Sequence, residues 1–162
     1  MRRIELSCIV DAPVAEVFAF HRDTRNVASI SPVGTQVLAV EGRFPVEQGD
    51  EVRLTIRQLP IPWPQRWRIL IERVEAPTLV VDRMLAGPFA AWRHEHRFAA
   101  RDDGRTVLTD AVEYTVPLGA LGRVADALVL RHALRLSFRA RHRATQRVLG
   151  QASSSSIQHS KQ

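Results

Sequence analysis

Six consecutive segments between residues 35 and 117 alternate apolar and polar residues, and short runs containing proline, glycine or aspartate separate most of them. Alternation with a period of two is typical of β-strands that bury one face. Short connections favour antiparallel neighbours, because a parallel pair needs a crossover of a dozen or more residues. The pattern therefore predicts one antiparallel sheet. Its predicted strands are 35–42, 50–59, 60–77, 78–85, 89–98 and 106–117.

Another alternating segment, 3–10, precedes these strands and predicts a seventh. Two short helices are predicted after it, one beginning near Pro13 and one within 21–32. Residues 118–149 have helical spacing and predict one long helix. Its predicted apolar stripe consists of Leu121, Val124, Leu128, Leu134 and Phe138.

A single antiparallel sheet must bury one face, and the C-terminal helix is the only large element left to cover it. We therefore predict an α+β fold in which a bent sheet wraps around this helix. A strongly bent sheet rarely fills completely, so we expect a cavity between the sheet and the helix.

The length of 162 residues predicts one domain, which we place at 1–149. The serine-rich tail, 150–162, has little apolar surface to bury and is predicted to be disordered. No apolar run approaches the roughly 20 residues of a membrane span. A lone cysteine, Cys8, excludes an internal disulfide, and we interpret it as a buried residue of a cytoplasmic protein.

The positive charge is concentrated in the predicted C-terminal helix. Residues 118–149 contain seven arginines and one acid, so this segment accounts for the whole formal net charge of +6. Two interpretations remain open: a solvated basic face, or a surface for an anionic partner such as a membrane, a ribosome or a nucleic acid. The candidate contact residues are Arg131, Arg135, Arg139 and Arg143.

The stretch AWRHEHRF is the most informative strand. It places Trp92, His94 and His96 on one face and its charged residues on the other. Antiparallel pairing with the neighbouring strands puts Asp82 near His94 and Asp110 near His96. Since a buried carboxylate without a partner is costly, these pairings predict that both histidines face inward.

The same wall is expected to contain several further candidate ligand-binding residues. Tyr114 should lie beside Trp92, with its hydroxyl directed to the cavity. Trp67, Val112 and Leu128 are the remaining candidates. His21 is expected at the surface, and the helical spacing leaves open whether His132 faces the cavity or solvent.

Four interpretations of the two His–Asp pairs remain open. They form a structural polar network, a polar floor for an apolar ligand, a catalytic acid–base pair, or a metal site. His94 and His96 are about 6.5–7 Å apart along a strand. The candidate ligands should therefore converge poorly, and we expect no metal and no other cofactor.

Three stretches, 9–32, 81–98 and 106–126, resemble the SRPBCC superfamily, also called START-like or helix-grip. They are most similar to its bacterial cyclase/dehydrase or ligand-binding group. The resemblance implies a helix-grip fold with an apolar cavity under the C-terminal helix. Relatives include lipid carriers, coenzyme Q-binding proteins, plant hormone receptors and polyketide aromatase/cyclases, so the fold does not choose among functions.

From these observations we predict binding of a hydrophobic small molecule, such as a lipid, an isoprenoid or a polyketide-like metabolite. One alternative is a polyketide cyclase/dehydratase-type enzyme that uses the same cavity. A second is an interaction module that uses the arginine-rich helix. The sequence favours a binding protein over an enzyme and leaves the oligomeric state open.

Overall fold

The described residues form a seven-stranded antiparallel sheet and a long C-terminal helix, which confirms the predicted fold class. The computed structural model describes residues 1–59, 61 and 63–151 in full, and the backbone of the last helix to His159. The predicted disordered tail, 150–162, lies for the most part outside the fully described residues.

The elements follow one another in the predicted order, with a 3₁₀ helix after α1 and a π-helical segment between α2 and α3. They are β1 (Arg2–Val10), α1 (Val14–Arg22), the 3₁₀ helix (Thr24–Ala28), β2 (Thr35–Glu41), β3 (Glu51–Gln58), β4 (Gln65–Glu75), β5 (Leu79–Ala86), β6 (Ala91–Ala100), β7 (Thr106–Thr115), α2 (Gly119–Ala125), the π segment (Asp126–Leu130) and α3 (Arg131–His159).

The strand order is β1-β7-β6-β5-β4-β3-β2, so β2 to β7 form a meander and β1 joins it beside β7. Two of the predicted cross-strand pairings are confirmed: His94 lies opposite Asp82, and His96 lies opposite Asp110. Along β6 the buried residues include Trp92 and both histidines, whereas the intervening charged residues are more exposed. The predicted face of this strand is therefore correct.

Helix α3 covers the inner face of the sheet over only part of its width. Phe138 stacks on Trp92 with 6.4 Å between ring centroids, and Leu149 packs into a cluster with Val10 and Phe98. A separate apolar cluster lies on β3 and β4 and does not include residues of α3. The incomplete cover leaves room for a cavity between these strands and the helix.

The N-terminal part of the C-terminal helix does not present the predicted apolar stripe to the sheet. Leu121, Val124 and Leu128 are 71%, 55% and 71% exposed, so their predicted inward orientation is wrong. The inward positions belong to Gly122 and Asp126, which are both buried. A Cβ at Gly122 would lie 1.8 Å from the carbonyl oxygen of Pro117, so only glycine fits there.

Polar pairing explains why Asp126 is buried in preference to the neighbouring leucines. The hydroxyl of Tyr114 donates a 2.7 Å hydrogen bond to Asp126 Oδ1, and Arg2 Nε lies 2.8 Å from Asp126 Oδ2. The π segment begins at this residue and adds about one residue to its turn. Beyond this segment, Phe138 is buried on the sheet, as the predicted stripe requires.

None of the described helices is both long and apolar enough to cross a membrane.

Candidate ligand-binding site

A cavity of about 170 Å³ lies between the sheet and the C-terminal helix. Its walls are mainly apolar, because β3 and β4 direct alternate side chains into it and α3 adds residues from the opposite side. The apolar lining includes Val52, Leu54, Ile56, Trp67, Ile69, Ile71, Val80, Trp92, Leu134 and Phe138. This arrangement agrees with the expected cavity.

The floor of the cavity is polar and is built on β5 and β6. Asp82, His94 and His96 all line it, and the two histidine rings are 3.9 Å apart between centroids. Both rings lie between two carboxylates, Asp82 on β5 and Asp110 on β7. The two carboxylates have different surroundings.

Asp110 is enclosed and accepts three short hydrogen bonds. Its Oδ1 lies 3.0 Å from His94 Nε2 and 2.7 Å from His96 Nδ1, and its Oδ2 lies 2.7 Å from His142 Nε2. Burial by itself would raise the pKa of Asp110, but the positive charge of His96 and the hydrogen bonds from the three rings hold it well below its usual range. An ionised carboxylate only accepts hydrogen bonds, so each facing ring nitrogen carries a proton.

Asp82 faces the cavity and has longer contacts. Its Oδ2 lies 3.5 Å from His94 Nδ1 and 3.5 Å from His96 Nε2, beyond the usual 2.7–3.2 Å of a hydrogen bond. Burial tends to raise the pKa of Asp82, but the two histidines outweigh this effect and lower it. The nitrogens not held by Asp110 therefore lie beside a carboxylate at the cavity surface.

The histidines around Asp110 differ in protonation. Burial and the nearby charge of His96 lower the pKa of His94 below its ordinary value. Burial also opposes the charged form of His96, but the two carboxylates outweigh it and raise the pKa of His96 to about 9. For His142, burial is outweighed by Asp110 and Cys8, and its pKa rises to about 9. Within one network, the pKa of His94 is therefore lowered while those of His96 and His142 are raised.

Sequence reasoning missed or misplaced three polar residues near this floor. His21, expected at the surface, lines the cavity: its Nδ1 donates a 2.7 Å hydrogen bond to the Val17 carbonyl, and its ring lies 5.4 Å from that of His96. Burial is the main reason that its pKa falls to about 3. Arg141 also lines the cavity, and His142 binds Asp110 from α3.

A signal for these residues was present in the sequence. Phe138, His142, Thr145 and Leu149 recur at helical spacing, and all four are buried. Such a helix face packs on the sheet, and the sheet contains a buried carboxylate. A histidine on this face therefore indicates a contact between the helix histidine and the sheet carboxylate. His21 follows Val17 by four residues, on the buried face of α1.

The remaining candidate residues are divided between the cavity and the layer behind it. Trp67, Asp82, Trp92, His94 and His96 line the cavity. Asp110, Val112 and Tyr114 are buried but are not among the lining residues. Leu128 is exposed to solvent. The Tyr114 hydroxyl, expected to reach the cavity, is instead bonded to Asp126.

The basic residues of the C-terminal helix lie outside the site. Arg131, Arg135, Arg139 and Arg143 are all exposed, and His132 is also exposed. His132 accepts a 3.2 Å hydrogen bond from Arg131 Nε. It therefore faces solvent and not the cavity, the alternative that its helical position left open.

The expected separation of the candidate metal ligands is wrong. One ligand atom from each of Asp82, His94 and His96 lies within 4.8 Å of the other two. The rings tilt toward each other from neighbouring inward positions of β6, because both donate to the same oxygen of Asp110. These three side chains can therefore reach a common ion.

The fold and the cavity define a helix-grip protein. Residues 1–150 match the family described as polyketide cyclase / dehydrase and lipid transport, and the chain belongs to this family. None of the curated protein sequences is similar enough to this chain to count as a match.

Solved structures share the fold at low sequence identity. One is the Zhui aromatase/cyclase from Streptomyces sp. R1128, with 20% identity, a TM-score of 0.66, and coverage of 91% of this chain and 95% of that one. Norcoclaurine synthase from Thalictrum flavum has 14% identity, a TM-score of 0.69 and coverage of 94% and 96%. TTHA0849 from Thermus thermophilus has 13% identity, a TM-score of 0.71 and coverage of 94% and 99%.

Proposed function

We propose that this protein binds a small, mainly apolar molecule that carries an oxygen function, with the oxygen at the cavity floor. The observation that carries the proposal is the division of the cavity into apolar walls and a polar floor of Asp82, His94 and His96. Apolar walls favour ligand burial by roughly 25 cal/mol per Å² of apolar area, and the few polar groups orient the ligand.

The size of the cavity favours a ligand of one or two rings. Apolar protein cavities of about 150 Å³ bind molecules of the size of benzene. The cavity here is about 170 Å³. Arg141 adds a positive charge to the lining, which favours a hydroxyl or carbonyl oxygen with partial negative charge over a bare hydrocarbon.

Equilibrium dialysis with 1-naphthol and naphthalene tests this proposal, because the two probes share a ring system and differ in one hydroxyl group. We expect saturable binding of one 1-naphthol per chain and weaker binding of naphthalene. Asp82→Asn should reduce the difference between the probes. Equal binding of both probes by the unmodified chain would contradict a polar floor that contacts the ligand.

A matched pair of variants on α3 tests the location. Leu134 lines the cavity, whereas Leu136 is 62% exposed on the same helix. Leu134→Trp should fill the cavity and weaken 1-naphthol binding at least about 10-fold, and Leu136→Trp should leave it unchanged. Equal affinities of the two variants would place the bound probe elsewhere.

A second candidate function is proton transfer on a carbonyl substrate in the same cavity. The observation that favours it is the pair of nitrogens, His94 Nδ1 and His96 Nε2, that lie beside Asp82 at the cavity surface. The family, which includes cyclases and dehydrases, supports this candidate without selecting it. Hydrogen exchange at the α-carbon of 4-phenyl-2-butanone in D₂O, followed by proton NMR, would detect such an activity. Exchange no faster than with His94→Ala would contradict it.

A further inference from the structure

We propose that Asp82, His94 and His96 bind a divalent transition metal ion of the zinc type at the floor of the cavity. Two imidazole nitrogens and one carboxylate oxygen are a donor set that zinc accepts in proteins, with a fourth position left for water or substrate. This proposal does not rest on the proposed function, since the three residues can hold the ion without an organic ligand.

Two of the three distances between the ligand atoms fit tetrahedral coordination. Ligand atoms about 2.0–2.2 Å from a tetrahedral ion lie about 3.3–3.6 Å from one another. Asp82 Oδ2 lies 3.5 Å from His94 Nδ1 and 3.5 Å from His96 Nε2. Neighbouring ligands of an octahedral ion lie closer, at about 2.8–3.1 Å. These two distances are closer to those of a tetrahedral, zinc-type site than to those of an octahedral one.

The surroundings hold the two rings in the orientation that metal binding needs. His94 Nε2 and His96 Nδ1 both donate to Asp110 Oδ1, at 3.0 Å and 2.7 Å. Metal-binding histidines almost always donate their other N–H group to a carboxylate, a carbonyl or water, which fixes the ring and leaves the remaining nitrogen free for the ion. Here one buried carboxylate orients both rings, and a bound ion would replace the proton on the cavity-facing nitrogen of His96.

The charge distribution also favours a cation at this point. Asp82 and Asp110 flank the histidine pair from opposite sides. The third donor to Asp110, His142, lies on its far side and does not line the cavity. An ion between Asp82 and the rings would face the cavity, so its open position is accessible to a ligand.

Titration of the untagged, chelator-treated chain with Co²⁺ tests the proposal. Tetrahedral Co²⁺ has strong visible d–d absorption bands, whereas octahedral Co²⁺ absorbs weakly. We expect strong bands that saturate at one Co²⁺ per chain, and loss of these bands on addition of one equivalent of Zn²⁺, which such sites bind more tightly.

Variants assign the site to particular side chains. His94→Ala, His96→Ala and Asp82→Asn should each weaken Co²⁺ binding at least about 100-fold. His132→Ala removes an exposed histidine of the same chain and should have no effect. If an alanine variant fails to fold, Asp82→Asn, checked by circular dichroism, still decides the question.

Three results would overturn the proposal: no uptake of Co²⁺ at micromolar concentrations, uptake that Asp82→Asn leaves unchanged, or a weak octahedral spectrum. None of them would alter the 1-naphthol result for the metal-free chain, so the two proposals can fail separately.

Discussion

The two carboxylates on either side of the histidine pair are the same residue type and face the same two rings, yet their surroundings differ. Asp110 is 2% exposed and accepts three hydrogen bonds of 2.7–3.0 Å. Asp82 is 13% exposed, lines the cavity, and lies 3.5 Å from each ring.

This difference gives the two carboxylates different roles: Asp110 supports the fold, and Asp82 is available for binding at the cavity. The hydrogen bonds of Asp110 are directed at neighbours that hold the sheet and α3 together, so its removal should act mainly on stability. The contacts of Asp82 are long and open to the cavity, so its removal should act mainly on binding. Changes on each side of the histidine pair can test that division.

The largest effect is expected for Asp110→Ala. Removing one partner of a buried ionic network leaves the others without compensation, which typically costs about 3–5 kcal/mol. The free energy of unfolding, measured by urea denaturation, should fall by this amount. Asp110→Asn keeps one acceptor oxygen and should lose less. A loss below about 1 kcal/mol for the alanine variant would show that the network is not structural.

A second enclosed carboxylate, Asp126, provides an independent check through Tyr114. Burial, together with the hydrogen bond and charge of Asp126, raises the pKa of Tyr114 to about 12, while Arg2 and Arg131 act weakly in the opposite direction. Because the folded-state pKa lies above the unfolded value of about 10, the fold keeps Tyr114 protonated and is most stable below pH 10. The free energy of unfolding should fall by about 3 kcal/mol, the equivalent of two pKa units, as the pH rises from 10 toward 12.

Tyr114 is the only tyrosine in the sequence, so absorbance at 295 nm reports its ionisation directly. The folded chain should titrate near pH 12, and the chain in denaturant near pH 10. Asp126→Asn should lower the folded midpoint toward 10. A folded midpoint of 10 in the unmodified chain would contradict the enclosed pair.

An intermediate effect is expected for His142→Ala, which removes one of the three donors to Asp110. A lost hydrogen bond to a buried charged group costs about 2 kcal/mol. His132→Ala, at an exposed position of the same helix, should change the free energy of unfolding by less than about 0.5 kcal/mol. Equal effects of the two variants would mean that the contact with Asp110 does not stabilise the docking of α3.

The smallest effect on stability is expected for Asp82→Asn. Its contacts are long, so the free energy of unfolding in urea should fall by less than about 1 kcal/mol. Binding of Co²⁺ to the same preparation should be lost. A stability loss as large as that of Asp110→Asn would show that both carboxylates are structural and would remove the distinction between the two sides.

The strands and their faces could be predicted because their period is two and short turns fix the pairing. Alternation placed His94 and His96 on the same face as Trp92, and hairpin pairing placed Asp82 and Asp110 opposite them. Both inferences use backbone geometry, which the order of residues largely determines.

The inward face of the C-terminal helix and the approach of the two histidine rings could not be predicted in the same way. Leu121 and Leu128 look apolar enough to be buried, but Asp126 takes the inward position because Tyr114 and Arg2 pair with it. The approach of the two histidine rings depends on side-chain rotation toward a shared oxygen of Asp110. Spacing along a strand contains no information on such rotations.

Because of the π segment at 126–130, the orientation of side chains along the C-terminal helix depends on the number of residues in that segment as well as on their identity. In a regular α-helix, each residue advances the side chains by about 100° around the axis. Deleting one residue from this segment would therefore rotate everything after it by about that angle relative to everything before. The helix could then keep the contact of Asp126 with Tyr114 or that of His142 with Asp110, but one rigid helix could not keep both. A single deletion in this segment would therefore disrupt a site more than ten residues away.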